Sequence, residues 1–226
     1  MIRQKKKMKG MIRENLSNPE FILKHASMRL VPVSRKNTMQ KGDIFKEFGP
    51  DMLIQCGLEV ECPGEGAFWL TMNTATLFSL PGEPEENLRA FNEAVVKNLK
   101  KDTVVFPMGI TPIELLAGMK DHTQRMDFGT GCFPVIVTNR SRINGAATVL
   151  AIAELAEEKL GAFYVAPSSL HEVILFPERM GINYEDVARM VKEVNCSEVT
   201  EKDFLSNTVF RYENSNFFIP KHKAQA

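Results

Sequence analysis

The sequence predicts an α+β fold with a mainly antiparallel sheet and helices on one face, and three observations lead there. Residues 52–73 alternate apolar and polar side chains on either side of a Pro-Gly turn. Apolar residues recur at helical spacing over 84–101 and 145–160. The stretch 133–212 reads β-α-β-β-α-β, an order in which helices can cover one face of a sheet. With 44% hydrophobic and 25% charged residues over 226 positions, the chain has material for one or two cores.

Ser17-Asn18-Pro19-Glu20 supplies a polar cap, a first-turn proline and a carboxylate for the orphan amides, so a short helix runs to about residue 26. From 52 to 61 the even positions are Met, Ile, Cys, Leu and Val, which suits a strand with one buried face. Pro63-Gly64-Glu65-Gly66 turns the chain, and Phe68, Leu70 and Met72 line one side of the returning strand. Pro84 opens a helix with a stripe of Leu88, Phe91, Val95 and Leu99 that ends near Lys100 and Lys101. Residues 103–108 are extended. Thr111-Pro112-Ile113-Glu114 is a capping box that starts a short helix closed by Gly118, and 121–130 is a loop.

A strand at 133–138 leads to a helix at 145–160 whose core side is Ala146, Val149, Leu150, Ala153, Ala156 and Leu160, with Gly161 as its stop. Strands at 162–166 and 171–176 are joined by Pro167-Ser168-Ser169-Leu170. Asn183 caps a helix striped by Val187, Met190, Val191 and Val194, and strands at 208–212 and 217–219 finish the fold. The organisation predicted is a basic arm at 1–16 and an α+β domain at 17–220, with sub-units at 17–108 and 109–220 as a finer division.

The segments TNRSRINGAA (138–147), LGAFYVAPSSLHEVILFP (160–177) and VNCSEVTEKDFLSNTVFRY (194–212) resemble an uncharacterised family of bacterial cytoplasmic proteins from anaerobic Gram-positive species. Its members carry Leu-Pro-Ser-Ser-Ile/Leu-His-Glu-Val-Ile/Leu and, before it, Thr-Asn-x-x-x-x-Asn-Gly-Ala-Ala. RLVPVSRKN (29–37) and MNTATLF (72–78) extend the likeness more loosely, to about 25–212 in all. Ala166 departs from the leucine or isoleucine usual there. The resemblance implies no established activity, cofactor or catalytic residue.

Lys+Arg and Asp+Glu are 28 each, so no overall field draws the chain to nucleic acid or an anionic surface. The charge is nevertheless uneven. Residues 1–13 hold six basic side chains and no acid, which leaves 22 basic against 28 acidic groups elsewhere. Lys5, Lys6, Lys7 and Lys9 are the candidates for contacts to nucleic-acid phosphates, but no aromatics interleave them for base stacking, and a solvated terminus is the plainer expectation. No signal-type apolar run follows the basic start, and no stretch is apolar enough to span a bilayer, so a cytoplasmic chain without membrane contact and with four free cysteines is expected.

Ser168, Ser169 and His171 with Glu172 are the parts of nucleophilic hydrolysis. In an extended strand, however, His171 and Glu172 point to opposite faces, and no Gly-x-Ser-x-Gly elbow lifts either serine. Arg140, Arg142, Asn144 and Gly145 join a strand to a helix, where guanidinium groups and helix-start amides can hold an anion; the plainer alternative makes Asn144 an N-cap and leaves the arginines solvated or paired with acids. Leu175 replaces the second histidine of a His-Glu-x-x-His set, and Cys56 and Cys62 lack a second pair, so neither metal nor cofactor is expected. The function expected is a non-enzymatic accessory or regulatory module that binds another protein. The alternative is a small hydrolase or anion-binding enzyme built on Ser168, Ser169 and His171 with Arg140 and Arg142.

Overall fold

The computed structural model of the chain describes residues 10–62, 66–108, 126–167 and 169–220. Among these, the strands form two sheets whose pairings are all antiparallel, so the α+β class holds. The capping-box helix expected at 111–118 and the Pro-Gly turn at 63–65 lie outside the described residues. Within the basic arm, residues 10–14 are helical and Ile12 is buried.

The first sheet is organised by β3 (Met52–Cys62). Strand β1 (Ala26–Pro32) pairs along one of its edges, with Ala26 opposite Leu58 and Pro32 opposite Met52. The other edge is shared end to end by β2 (Phe45–Phe48) and β4 (Gly66–Thr71). Cys56 marks the hand-over: its N–H donates to the Ile44 carbonyl at 2.9 Å and its carbonyl accepts from the Met72 N–H at 3.0 Å. The hairpin read from the sequence is β3–β4. The face expected to be solvated is not bare, because Leu53 and Gln55 are buried as well. On that face the Arg29 guanidinium sits 4.5 Å from the centre of the Trp69 ring and donates to Gln55 at 2.9 Å. Burial there lowers the Arg29 pKa to about 10.

Helix α1 (Pro19–His25) is capped as its sequence demands, with the Asn18 side chain accepting from the Glu20 and Phe21 amides. A one-turn helix α2 (Thr74–Phe78) precedes α3 (Pro84–Asp102), which has Glu85 and Glu86 in its first turn and Lys100 and Lys101 in its last, the order that complements the helix dipole. Phe91, Val95 and Leu99 of α3 are buried against Ile22, Ala26 and Leu58. Asn98 closes the end of α1 by donating to the carbonyls of Leu23 and Ala26, both at 2.9 Å.

The second sheet runs β10-β9-β7-β8-β6-β5. Its strands are β5 (Thr103–Pro107), β6 (Val135–Asn139), β7 (Phe163–Ala166), β8 (Glu172–Pro177), β9 (Phe210–Glu213) and β10 (Asn216–Phe218). Helix α4 (Thr148–Leu160) links β6 to β7, and α5 (Tyr184–Ser197) links β8 to β9. The expected one-sided placement of the helices gives way here. Phe163, Val165, Val173 and Leu175 face α4, whereas Tyr164, Ala166, Ile174 and Phe176 face Val187 and Val191 of α5. The sheet order is the reason. β6 to β7 and β8 to β9 are parallel steps in the same lateral direction with opposite strand polarity, so two right-handed crossovers must lie on opposite faces. Helix α4 also turns slightly from its expected side: Ile152 is buried, and Leu150 is only half-buried.

A single apolar core joins the two sheets, since Leu30 and Met52 pack with Val137, Ala147, Val149 and Leu175. The division suggested at 108/109 falls between β5 and its partner β6. At the far end, the β2–β3 turn docks on the second sheet. Phe48 stacks on Phe210 with ring centres 4.9 Å apart, and Asp51 accepts from the hydroxyls of Ser206 at 2.7 Å and Thr208 at 3.1 Å. Gly49, at φ +70°, brings its backbone so close to Phe210 that a Cβ would stand 2.5 Å from the ring. Gly49→Ala should therefore cost at least about 1–2 kcal/mol in urea unfolding. The cost should shrink in a Phe210→Leu background, which a double-mutant cycle measures.

Candidate functional site

Segments 138–147 and 160–177 meet in space. At the end of β6, Asn139 is buried and closes the following turn on itself: its Oδ1 accepts from the Ile143 N–H at 3.1 Å and the Ser141 hydroxyl at 3.2 Å, and its Nδ2 donates to the Ile143 carbonyl at 2.8 Å. The turn is tight enough to put Arg142 and Asn144 both at φ +54°. Asparagine tolerates that left-handed conformation better than most residues. Asn144 is thus not the N-cap that the plainer sequence reading makes it, for no side-chain cap bond forms; a 3-10 turn at Gly145–Ala147 leads into α4 instead.

Gly145 is where the turn touches the β7–β8 loop. A Cβ there would lie 2.4 Å from the His171 carbonyl and 2.5 Å from the Thr138 hydroxyl, so only glycine fits. The Thr138 hydroxyl donates to that same His171 carbonyl at 2.7 Å, and the Ala146 N–H donates to the Leu170 carbonyl at 3.2 Å. The His171 N–H donates to the Ser169 hydroxyl at 3.1 Å.

The imidazole of His171 is held on both sides. Its Nδ1 accepts from the Asn144 N–H at 3.4 Å, which places the ring proton on Nε2, where it is donated to Asp203 Oδ1 at 3.2 Å. The other Asp203 oxygen accepts from the Thr200 hydroxyl at 2.7 Å, and the Asp203 carbonyl accepts from the Leu170 N–H at 2.9 Å. Hydrogen bonds from Thr200 and then His171 hold the Asp203 carboxyl below its ordinary pKa of 3.8. The ring is about one-third exposed, at 35%. Ser169 is turned to the backbone amide and not to the ring, and Ser168 lies outside the described residues, as do Lys5, Lys6, Lys7 and Lys9.

The arginines leave this cluster in other directions. Arg140 donates to the Lys101 carbonyl at 3.0 Å and lies 3.7 Å from Asp102, so it caps the end of α3. Arg142 lies over the Phe106 ring at 5.7 Å. Three amides of the turn are bonded within the protein: Ile143 N–H to Asn139, Asn144 N–H to His171 and Ala146 N–H to Leu170.

Arg140 instead borders a cleft of about 430 Å³ between α1, α3 and the first sheet, which the sequence reading missed. Lys24, His25, Ser27, Glu59 and Asp102 also line it. His25 Nδ1 lies 3.3 Å from the Glu59 carbonyl, and the Ser27 hydroxyl donates to the Glu59 carboxylate at 3.3 Å. Two helix C-termini converge there, so part of the positive charge of Lys24, Lys101 and Arg140 offsets carbonyl ends. No group of three or more His, Cys, Asp or Glu side chains suited to a metal occurs among the described residues. No described helix is long and apolar enough to cross a membrane.

The fold is thus that of an α+β protein in which two antiparallel sheets share a core and the turn after β6 packs on the β7–β8 loop. The chain belongs to DUF5688, a family of unknown function, whose profile matches residues 3–214. No curated protein and no solved structure matches it.

Two measurements probe the His171 contact. Gly145→Ala should destabilise the chain by at least about 2 kcal/mol, more than Gly10→Ala, where a Cβ meets nothing, as read by urea unfolding. Because the Asp203 pKa is depressed in the folded state, its contribution is full above about 3.8 and is lost as pH falls through the folded value. Asp203→Asn should therefore lower the melting temperature at neutral pH and flatten its decline below pH 4. A variant that reproduced the wild-type acid limb would show that the carboxylate is not coupled to folding.

Proposed function

We propose that this chain is a non-enzymatic accessory module that works in the cytoplasm by binding another protein. The observation that carries the reading is the state of His171: one ring nitrogen accepts a backbone amide, the other donates to Asp203, and the neighbouring Ser169 hydroxyl serves the backbone. A general base needs a ring nitrogen within reach of the proton it removes, and here both are occupied by groups that fix loops. The residues around His171 then serve to hold a shape, and the product of that shape is surface.

Among the described residues the most exposed large apolar side chain is Phe133, just before β6. Phe133 is 60% exposed, and Met108, whose N–H donates to the Pro134 carbonyl at 2.8 Å, is 42% exposed. An exposed aromatic beside a flexible methionine is the kind of anchor that protein interfaces bury at their centre. A tagged full-length chain should recover one stoichiometric protein from its native cells, and Phe133→Ala with Met108→Ala should reduce that recovery at least tenfold while leaving the melting temperature unchanged. The competing hydrolase reading makes a different demand on the same material. His171→Ala would have to abolish an esterase or amidase activity without lowering stability, whereas a structural imidazole predicts a loss of about 1–2 kcal/mol and no activity to lose.

A further inference from the structure

Helices α3 and α4 lie side by side and leave between them a groove of about 590 Å³. Its floor is apolar, made by Val96 of α3, Leu150 and Leu155 of α4, and Met126 and Phe217 beyond them. Val96 is 40% exposed, although it sits between Phe91, Val95 and Leu99 on a helix whose other side is fully packed. The walls carry opposite charge. Lys100 stands on the α3 side with Lys97 beside it in the adjoining depression of the same helix, Glu154 and Glu158 stand on the α4 side, and all four are exposed. None of the four makes an ion pair within the described chain, whereas Glu157, between the two glutamates, is spent accepting the Asn214 and Ser215 amides. Glu93, one turn before Lys97, ends the basic wall.

We propose that this groove binds a second copy of the chain, forming a dimer whose two-fold axis runs along the groove. The charges select both the occupant and the axis. Rotation about an axis along the groove carries the α3 wall of one copy onto the α4 wall of the other, so Lys97 and Lys100 face Glu154 and Glu158 twice over. An axis across the groove would set lysine against lysine and glutamate against glutamate. Two cations against two anions make the surface its own complement, which no single-signed partner helix would be. The floor residues of the two copies then meet at the axis, where Val96, Leu150 and Leu155 leave water together.

The test is the mass of the full-length chain in solution by light scattering and sedimentation velocity. Wild type should run at twice its 25.5 kDa and dissociate as salt is raised, since the wall charges are solvent-facing. Lys97→Glu with Lys100→Glu makes both walls acidic, and Glu154→Lys with Glu158→Lys makes both basic. Each variant alone should be monomeric, and an equimolar mixture should recover the dimer, because every acidic wall then meets a basic one. Circular dichroism and melting of each variant establish that it folds; should either pair impair folding, Val96→Glu at the floor gives the monomer by itself. A monomeric wild type, a dimer indifferent to both charge reversals, or a mixture of folded variants that stays monomeric would overturn the proposal.

Discussion

The architecture depends on one close approach. Where β6 ends, the chain must reverse and start α4 directly beneath the loop between β7 and β8, and the room for this is set by the missing side chain of Gly145 against the His171 carbonyl. Around that contact the Thr138 hydroxyl, the Ala146 amide and the Asn144 amide all bond to residues 170 and 171, and Asp203 brings in the segment before β9. Three chain segments, at 138–146, 170–171 and 203, are thereby fixed at one place. Buried backbone groups tolerate so dense a crossing only when each finds a partner, and the polar residue types found here supply those partners.

That contact also makes sense of the sheet. β6 and β7 run in the same direction with β8 between them, so α4 must cross over a strand that belongs to the other crossover. The two crossovers interleave, and their helices fall on opposite faces. Strands β7 and β8 are consequently covered on both sides, which is why Phe163–Ala166 is buried without a break and reads as continuous apolar sequence. Helix α5 closes the far face, and beside it the Arg211 guanidinium holds Glu178 through two bonds of 2.6 and 3.0 Å, while burial and then the nearby Glu178 push the Tyr164 hydroxyl up to about 12.

Local signals told the truth about local structure. Pro84 with Glu85 and Glu86, the Asn18 and Asn183 caps, and the alternation along 52–61 each marked an element that exists within a residue or two, because caps and periodicity act over one turn or one strand. Strands β1 and β2 had no such mark. β1 follows α1 with no glycine or proline between them, and FKEF is short and largely exposed, so each is a strand only because β3 offers an edge. The cleft at Arg140 was hidden for the same reason: His25 and Ser27 meet Glu59 through the β1–β3 register, more than thirty positions apart in sequence.

The His171 segment shows why residue types alone leave two uses open. Serine, histidine and an acid within a few positions are the materials of a hydrolase, but they are equally the materials for tying a loop, since all three are short, polar and able to satisfy backbone groups. What separates the uses is which atoms remain open. The acid that reaches the ring is Asp203 and not the adjacent Glu172, because β8 sends successive side chains to opposite faces. The serine beside the histidine spends its hydroxyl on the chain itself. A catalytic base must change partners during a reaction, and this imidazole is bonded on one side to the backbone of a turn with two residues at positive φ and on the other to a carboxylate anchored by Thr200. Moving it would release the turn, the loop and the segment before β9 together, so one ring ties three parts of the fold.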